Sequence, residues 1–218
     1  MCSCRLVDDM KEDVLNGKFE PIFMVGHSIH ALNDVVDNDQ IAKDVLITRH
    51  QKLGCDPYFA ESLGPSCELP NTPAVGLLLD TIDEIIKSKC RQLKKEGKAW
   101  SVFSEEGESI MWHNHSNDRG GMPGLSFVYW VTVPENSGKF AAILQVDQMR
   151  HYETIVPKEG NLLLFPTYLP HLTTRNCSGK LRISISGNYY PPYFNLIQND
   201  IREKDFGVLL DYIGRLKV

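Results

Sequence analysis

No stretch of this sequence approaches the 18 apolar residues of a membrane-crossing helix. The strongest, Asn161 to Pro170, is short and interrupted by Pro166. Blocks of lysine or arginine are also missing. The 23 basic and 28 acidic residues leave a net charge of −5, a poor endowment for wrapping nucleic acid or adhering to an anionic membrane. The first residues, Met1-Cys-Ser-Cys-Arg-Leu-Val-Asp-Asp, carry acid where a signal peptide needs an apolar run. An intracellular, cytoplasmic location is therefore expected, with neither membrane nor nucleic acid as partner. Paired C-x-x-C spacing is absent from the six cysteines, and Cys2 and Cys4 lie too close together to begin a four-ligand zinc site. Free thiols in a reducing compartment are the simplest expectation. There is no internal repeat and no low-complexity tract.

What is present is ordinary globular composition: 218 residues, 42% hydrophobic and 23% charged. A chain of this length buries roughly 70% of its unfolded surface, so it needs neither disulfide nor metal to hold a core. One domain spanning 1–218 is expected. Residues 1–70 alternate short apolar pieces with polar turns, and Gly54 to Pro73 reads as an irregular loop. A helix is predicted over residues 73–96. Thr72 caps it, Pro73 suits its first turn, and Val75, Leu78, Leu79, Ile82, Ile85 and Ile86 share one face. Lysines 87, 89, 94 and 95 suit its C-terminal dipole, and Gly97 stops it.

From Lys98 to Tyr190 the pattern changes to strands: Ala99–Phe103, Ser109–His113, Leu125–Val133, Phe140–Val146, Asn161–Phe165 and Leu181–Asn188. Turn residues at Gly107, Gly120-Gly121, Pro134 to Gly138, Gly160 and Gly179 separate them. Several short strands at this spacing predict a jelly-roll core over 98–190. A second amphipathic helix is predicted over 199–216, with Phe206, Leu209, Leu210 and Ile213 as its apolar face. The expected architecture is mainly β with flanking helices.

Chemistry concentrates at two places. His113 and His115 lie two apart at a strand end, where i and i+2 side chains point the same way and can share a metal ion. His171 follows a Pro-flanked turn that could bring it beside them. Eleven residues on, Arg182-Ile-Ser-Ile-Ser186 alternates strictly, so Arg182, Ser184 and Ser186 share one face. An inward arginine is costly unless it meets an anion, and a guanidinium grips a carboxylate by two parallel hydrogen bonds. The alternative at this stage is an edge strand whose Arg and Ser face water. His27, His30, His50 and His151 read as surface or satisfied core residues.

The ordered blocks Trp112-His-Asn-His115, Leu125-Ser-Phe-Val-Tyr-Trp-Val131, Pro134-Glu-Asn-Ser-Gly138, Pro157-Lys-Glu-Gly160, Leu163-Leu-Phe-Pro-Thr-Tyr-Leu-Pro-His171 and Arg182-Ile-Ser-Ile-Ser186 resemble the double-stranded β-helix core of Fe(II)/2-oxoglutarate-dependent dioxygenases. The likeness is to the prolyl-hydroxylase-like branch and its bacterial and phage members. It implies Fe(II) as metal, 2-oxoglutarate and O2 as co-substrates, and hydroxylation of a peptide, amino-acid or small-molecule substrate with release of succinate and CO2. Position by position it assigns His113 and His171 as metal ligands. It places Arg182 and Ser184 on the far carboxylate of 2-oxoglutarate and makes Trp130 the pocket aromatic, with Tyr129 on the opposite face. The family has a carboxylate where this chain has His115. His115 ligating, Asp118 supplying the carboxylate, and water filling the position all stay open. Two competing readings also stand: a cupin-type three-histidine dioxygenase that uses no 2-oxoglutarate, and a non-catalytic β-sandwich binding module.

Overall fold

The computed structural model describes residues 19–22, 25–51, 66–89, 93–115, 124–146 and 149–190. The predicted 199–216 helix and Asp118 lie outside them. Among the described residues there are eleven strands and two helices, in the order β1 (Phe19–Ile22), β2 (Val25–Ala31), α1 (Asn38–Gln51), β3 (Ser66–Glu68), α2 (Pro73–Lys89), β4 (Lys94–Ser104), β5 (Ile110–His113), β6 (Leu125–Thr132), β7 (Phe140–Val146), β8 (Met149–Ile155), β9 (Asn161–Pro166), β10 (His171–Thr173) and β11 (Arg182–Tyr190). Neither helix is long and apolar enough to cross a membrane.

The strands form two antiparallel sheets. The larger runs β1-β2-β9-β6-β11-β4-β3 and the smaller β5-β10-β7-β8. Together they make the double-stranded β-helix, mainly β with two helices against it.

Both helices begin on side-chain caps. The Asp37 carboxylate accepts the Gln40 N–H at 3.0 Å, and the Thr72 hydroxyl accepts the Val75 N–H at 3.4 Å, satisfying donors that the first turn leaves free. Helix α2 buries Val75, Leu78, Ile82 and Ile86 at i, i+3, i+4 spacing. Helix α1 buries Ile41, Val45 and Thr48. Apart from Thr48, these side chains join Phe103, Phe127, Tyr129, Val131, Ile183 and Ile185 in one core cluster between helices and large sheet. Each large apolar side chain buried this way contributes about 1.5–3 kcal/mol. Two tyrosine hydroxyls stitch the layers: Tyr129 to Asn38 at 2.5 Å and Tyr189 to Asp83. A second, smaller cluster of Trp130, Phe140, Ala142, Leu163, Phe165 and Leu169 fills the space between the two sheets.

Several expectations are corrected. Helix α2 ends at Lys89 rather than at residue 96. Lys94, Lys95 and Glu96 instead pair with Tyr190, Tyr189 and Asn188 across β4 and β11, so sheet pairing overrides their intrinsic preference for helix. Gly97 lies inside β4 and stops nothing. The loop assigned to Gly54–Pro73 contains strand β3, and the region without an assigned fold contains β1, β2 and α1. Cys67 is disulfide-bonded, against the expectation of free thiols throughout, while Cys177 is free and exposed.

Candidate metal centre

Strand pairing brings the first two histidines together. β10 runs antiparallel to β5 with His171 in register with His113, and the two imidazole centroids lie 4.2 Å apart. His115 sits two residues beyond β5, held at both ends of its backbone. Its N–H donates to the Thr167 carbonyl at 2.8 Å, and the Tyr190 hydroxyl donates to its carbonyl at 2.7 Å. Its ring lies 5.1 Å from His113 and 5.3 Å from His171. One nitrogen from each of the three rings falls within 4.8 Å of the others.

The tautomers suit ligation. Nδ1 of His113 lies 2.8 Å from the Met111 carbonyl, and Nδ1 of His171 lies 2.8 Å from the Leu169 carbonyl. A carbonyl only accepts, so Nδ1 carries the hydrogen in both rings and Nε2 keeps its lone pair. Burial and the neighbouring His113 ring push His115 down to about 4. His171, packed against Phe140 at 5.3 Å and edge-on to Phe165 at 4.7 Å, is held well below its usual value by burial and then by His113. Three imidazoles with converging nitrogens form a donor set for a borderline divalent metal such as Fe(II). Among the described residues no carboxylate joins the group.

Across the same cavity lies Arg182, 2% exposed. Its Nη1 donates to the Ser137 carbonyl at 2.6 Å, and among the described residues no carboxylate pairs with it. Burial lowers its pKa to about 10, with Glu108 opposing the shift, so it stays cationic at neutral pH. Ser184 is two residues along on the same face and lines the cavity, as does Trp130, its register partner on β6. Tyr129 faces the opposite way, into the helix-covered core.

Some lining residues carried no expectation. Trp100 and Val102 on β4 sit opposite Ser186 and Ser184, and the Trp100 ring lies 6.2 Å from His115. Their signal was the alternation Trp100-Val102-Ser104, which is in phase with β11 once the two strands are paired. The Tyr190 hydroxyl also reaches this site, donating to the His115 backbone carbonyl. His27 is buried in β2, His30 meets the Ser28 hydroxyl at 3.1 Å, and His50 bonds the Leu46 carbonyl at 2.7 Å. None of these joins the trio.

Residues 98–188 match the sequence model of a family described as "Putative 2OG-Fe(II) oxygenase". This region is similar to the 2OG-Fe(II) oxygenases. No curated protein matches the chain in sequence. In fold, the chain is similar to a prolyl-4-hydroxylase from Pseudomonas putida, with 16% identity, TM-score 0.58, and coverage of 85% of this chain and 98% of that one. It is also similar to a Trichoplax adhaerens prolyl hydroxylase solved with a hypoxia inducible factor peptide fragment. There the identity is 14% and the TM-score 0.62, over 90% of this chain and 94% of that one. AviO1 from Streptomyces viridochromogenes follows at 15% identity and TM-score 0.55, over 84% of this chain and 96% of that one. The oxygenase family implies Fe(II) and 2-oxoglutarate, and the three-histidine group is one that could bind the metal.

Proposed function

We propose that the protein is an Fe(II)- and 2-oxoglutarate-dependent dioxygenase that hydroxylates a peptide, amino-acid or small-molecule substrate. His113, His115 and His171 hold the metal, Arg182 and Ser184 bind the far carboxylate of the co-substrate, and Trp130 packs against its carbon chain. When bound, Fe(II) with 2-oxoglutarate and O2 supplies oxidative decarboxylation to succinate and CO2, coupled to oxidation of a substrate C–H bond.

The residues of the chain do the rest. The carbonyls of Met111 and Leu169 fix two imidazoles in the ligating tautomer. Phe140 and Phe165 wall off His171 from water, which strengthens every electrostatic contact inside. Arg182 offers a preformed cation whose fork matches a carboxylate. With His115 where relatives carry a carboxylate, the ligand set is neutral, leaving a more cationic centre than a 2-His-1-carboxylate site.

One observation carries this reading. A guanidinium that is 2% exposed, with no carboxylate partner among the described residues, lines the same cavity as three convergent imidazoles. Burying an unpaired charge costs several kcal/mol, and a dicarboxylate co-substrate offsets that cost. A cupin-type site leaves Arg182 without a role, and a binding module leaves the three lone pairs without one. The test is Fe(II)-dependent succinate formation from 2-oxoglutarate, with binding of the keto acid measured in parallel. Arg182→Ala is expected to weaken 2-oxoglutarate binding by at least about 100-fold, as truncating one side of a buried charge pair does. Full binding by that variant overturns the assignment.

A further inference from the structure

We propose that the Pro134–Gly138 turn sets the chain length of the keto diacid that the cavity accepts, by pinning Arg182. This inference rests on the function proposed above.

The turn is built rigidly. Asn136 and Gly138 both take left-handed backbone conformations, at φ 63° and 91°. Ser137 between them donates its N–H to the Pro134 carbonyl at 3.1 Å. The Asn136 carbonyl accepts the Cys177 N–H at 2.9 Å, and Lys139 pairs with Thr174 through two further bonds. These contacts leave the Ser137 carbonyl aimed at Arg182 Nη1, 2.6 Å away. Only glycine fits at 138. A Cβ there would collide with the Thr174 carbonyl and come within 3.1 Å of Arg182 Nη1, besides straining the backbone.

The consequence is geometric. Arg182 has one donor committed to a main-chain oxygen, and among the described residues the rest of its fork has no hydrogen-bond partner, leaving it for the cavity. A lysine-like swing is denied to it, because the guanidinium is buried between the turn and β4, where Ser104 is its register partner. The imidazole trio at the other side is fixed by strand register. Two fixed ends define one span. On the function proposed above, the five-carbon 2-oxo diacid bridges those two ends, and a six-carbon homologue has to buckle between them. A pocket of this kind discriminates one methylene by about 10- to 200-fold.

The experiment compares binding of 2-oxoglutarate and 2-oxoadipate to the Mn(II)-loaded full chain by equilibrium dialysis. For the wild type a preference of about 20-fold or more for 2-oxoglutarate is expected. Gly138→Ala pushes the turn off Thr174 and frees the guanidinium. The preference is then expected to fall below about 3-fold while Mn(II) affinity stays unchanged. A turn that merely supported the fold would weaken both acids equally and leave their ratio alone. Ser137→Gly decides the matter if Gly138→Ala does not fold. It keeps the carbonyl, removes a buried hydroxyl that makes no hydrogen bond among the described residues, and loosens the main chain, so the ratio is expected to drop about 3-fold or more. A wild-type ratio in the folded variants overturns the role of the turn. Failure of the wild type to bind either acid overturns the proposed function instead.

Discussion

The two faces of strand β11 make opposite demands on the same nine residues. One face presents Ile183 and Ile185, both buried against the helices. The other presents Arg182, Ser184 and Ser186 to the cavity. Because side chains alternate with period 2, one strand can be half hydrophobic glue and half chemistry, and the two roles are separable by single substitutions. The large sheet repeats the division on β6, where Tyr129 turns to the helices and Trp130 to the cavity.

The largest expected effect falls on the helix side. Ile185→Ala removes a fully buried side chain and is expected to cost about 3 kcal/mol of stability, within the usual range for such cavities. Urea unfolding measures it, and 2-oxoglutarate affinity of the folded variant is expected to remain that of wild type. A comparable loss of affinity would show that the two faces are coupled.

Next comes acid on the metal-free protein. His115 titrates near 4 in the folded chain and near 6.5 once unfolded. Between those values the unfolded chain binds more protons, so stability present above about pH 6.5 is lost as pH falls toward 4. His115 alone contributes up to about 3 kcal/mol of that loss, and His171 shifts in the same direction. Urea midpoints for the metal-free protein at pH 7.5 and 4.5 check it, with His115→Asn expected to flatten the slope.

The smallest effect is the cavity-side counterpart of Ile185→Ala. Ser184→Ala removes one hydroxyl that lines the cavity. It is expected to weaken 2-oxoglutarate binding by about 10-fold, the loss of one hydrogen bond to a charged group. The unfolding midpoint is expected to stay in place. A large fall in stability with unchanged affinity would reverse the assignment of the two faces.

Legibility in the sequence follows the same division. Helix α2 was readable because Val75, Leu78, Ile82 and Ile86 form an unbroken apolar stripe. Strand β11 was readable because its alternation is strict. Helix α1 was not, since only Ile41, Val45 and Thr48 face inward and charged residues dilute its periodicity. Strand β8 mixes Arg150, His151, Tyr152, Glu153 and Thr154, and as a sheet edge it needs no apolar pattern. The far end of α2 was misplaced because Lys94, Lys95 and Glu96 suit a helix in isolation, and only their pairing with β11 reveals a strand. Within the site, residues with reactive groups were legible. Trp100, which only lines the cavity, required the register of β4 on β11.

Tyr190 closes a loop in this design. The strand that starts with Arg182 ends eight residues later on a hydroxyl that grips the backbone of His115. Diverging copies of the gene can therefore change side chains along this stretch one at a time, each at its own cost, but cannot lengthen or shorten it. A single inserted codon between 182 and 190 would turn the anion grip toward the helices or tear the third imidazole from its anchor.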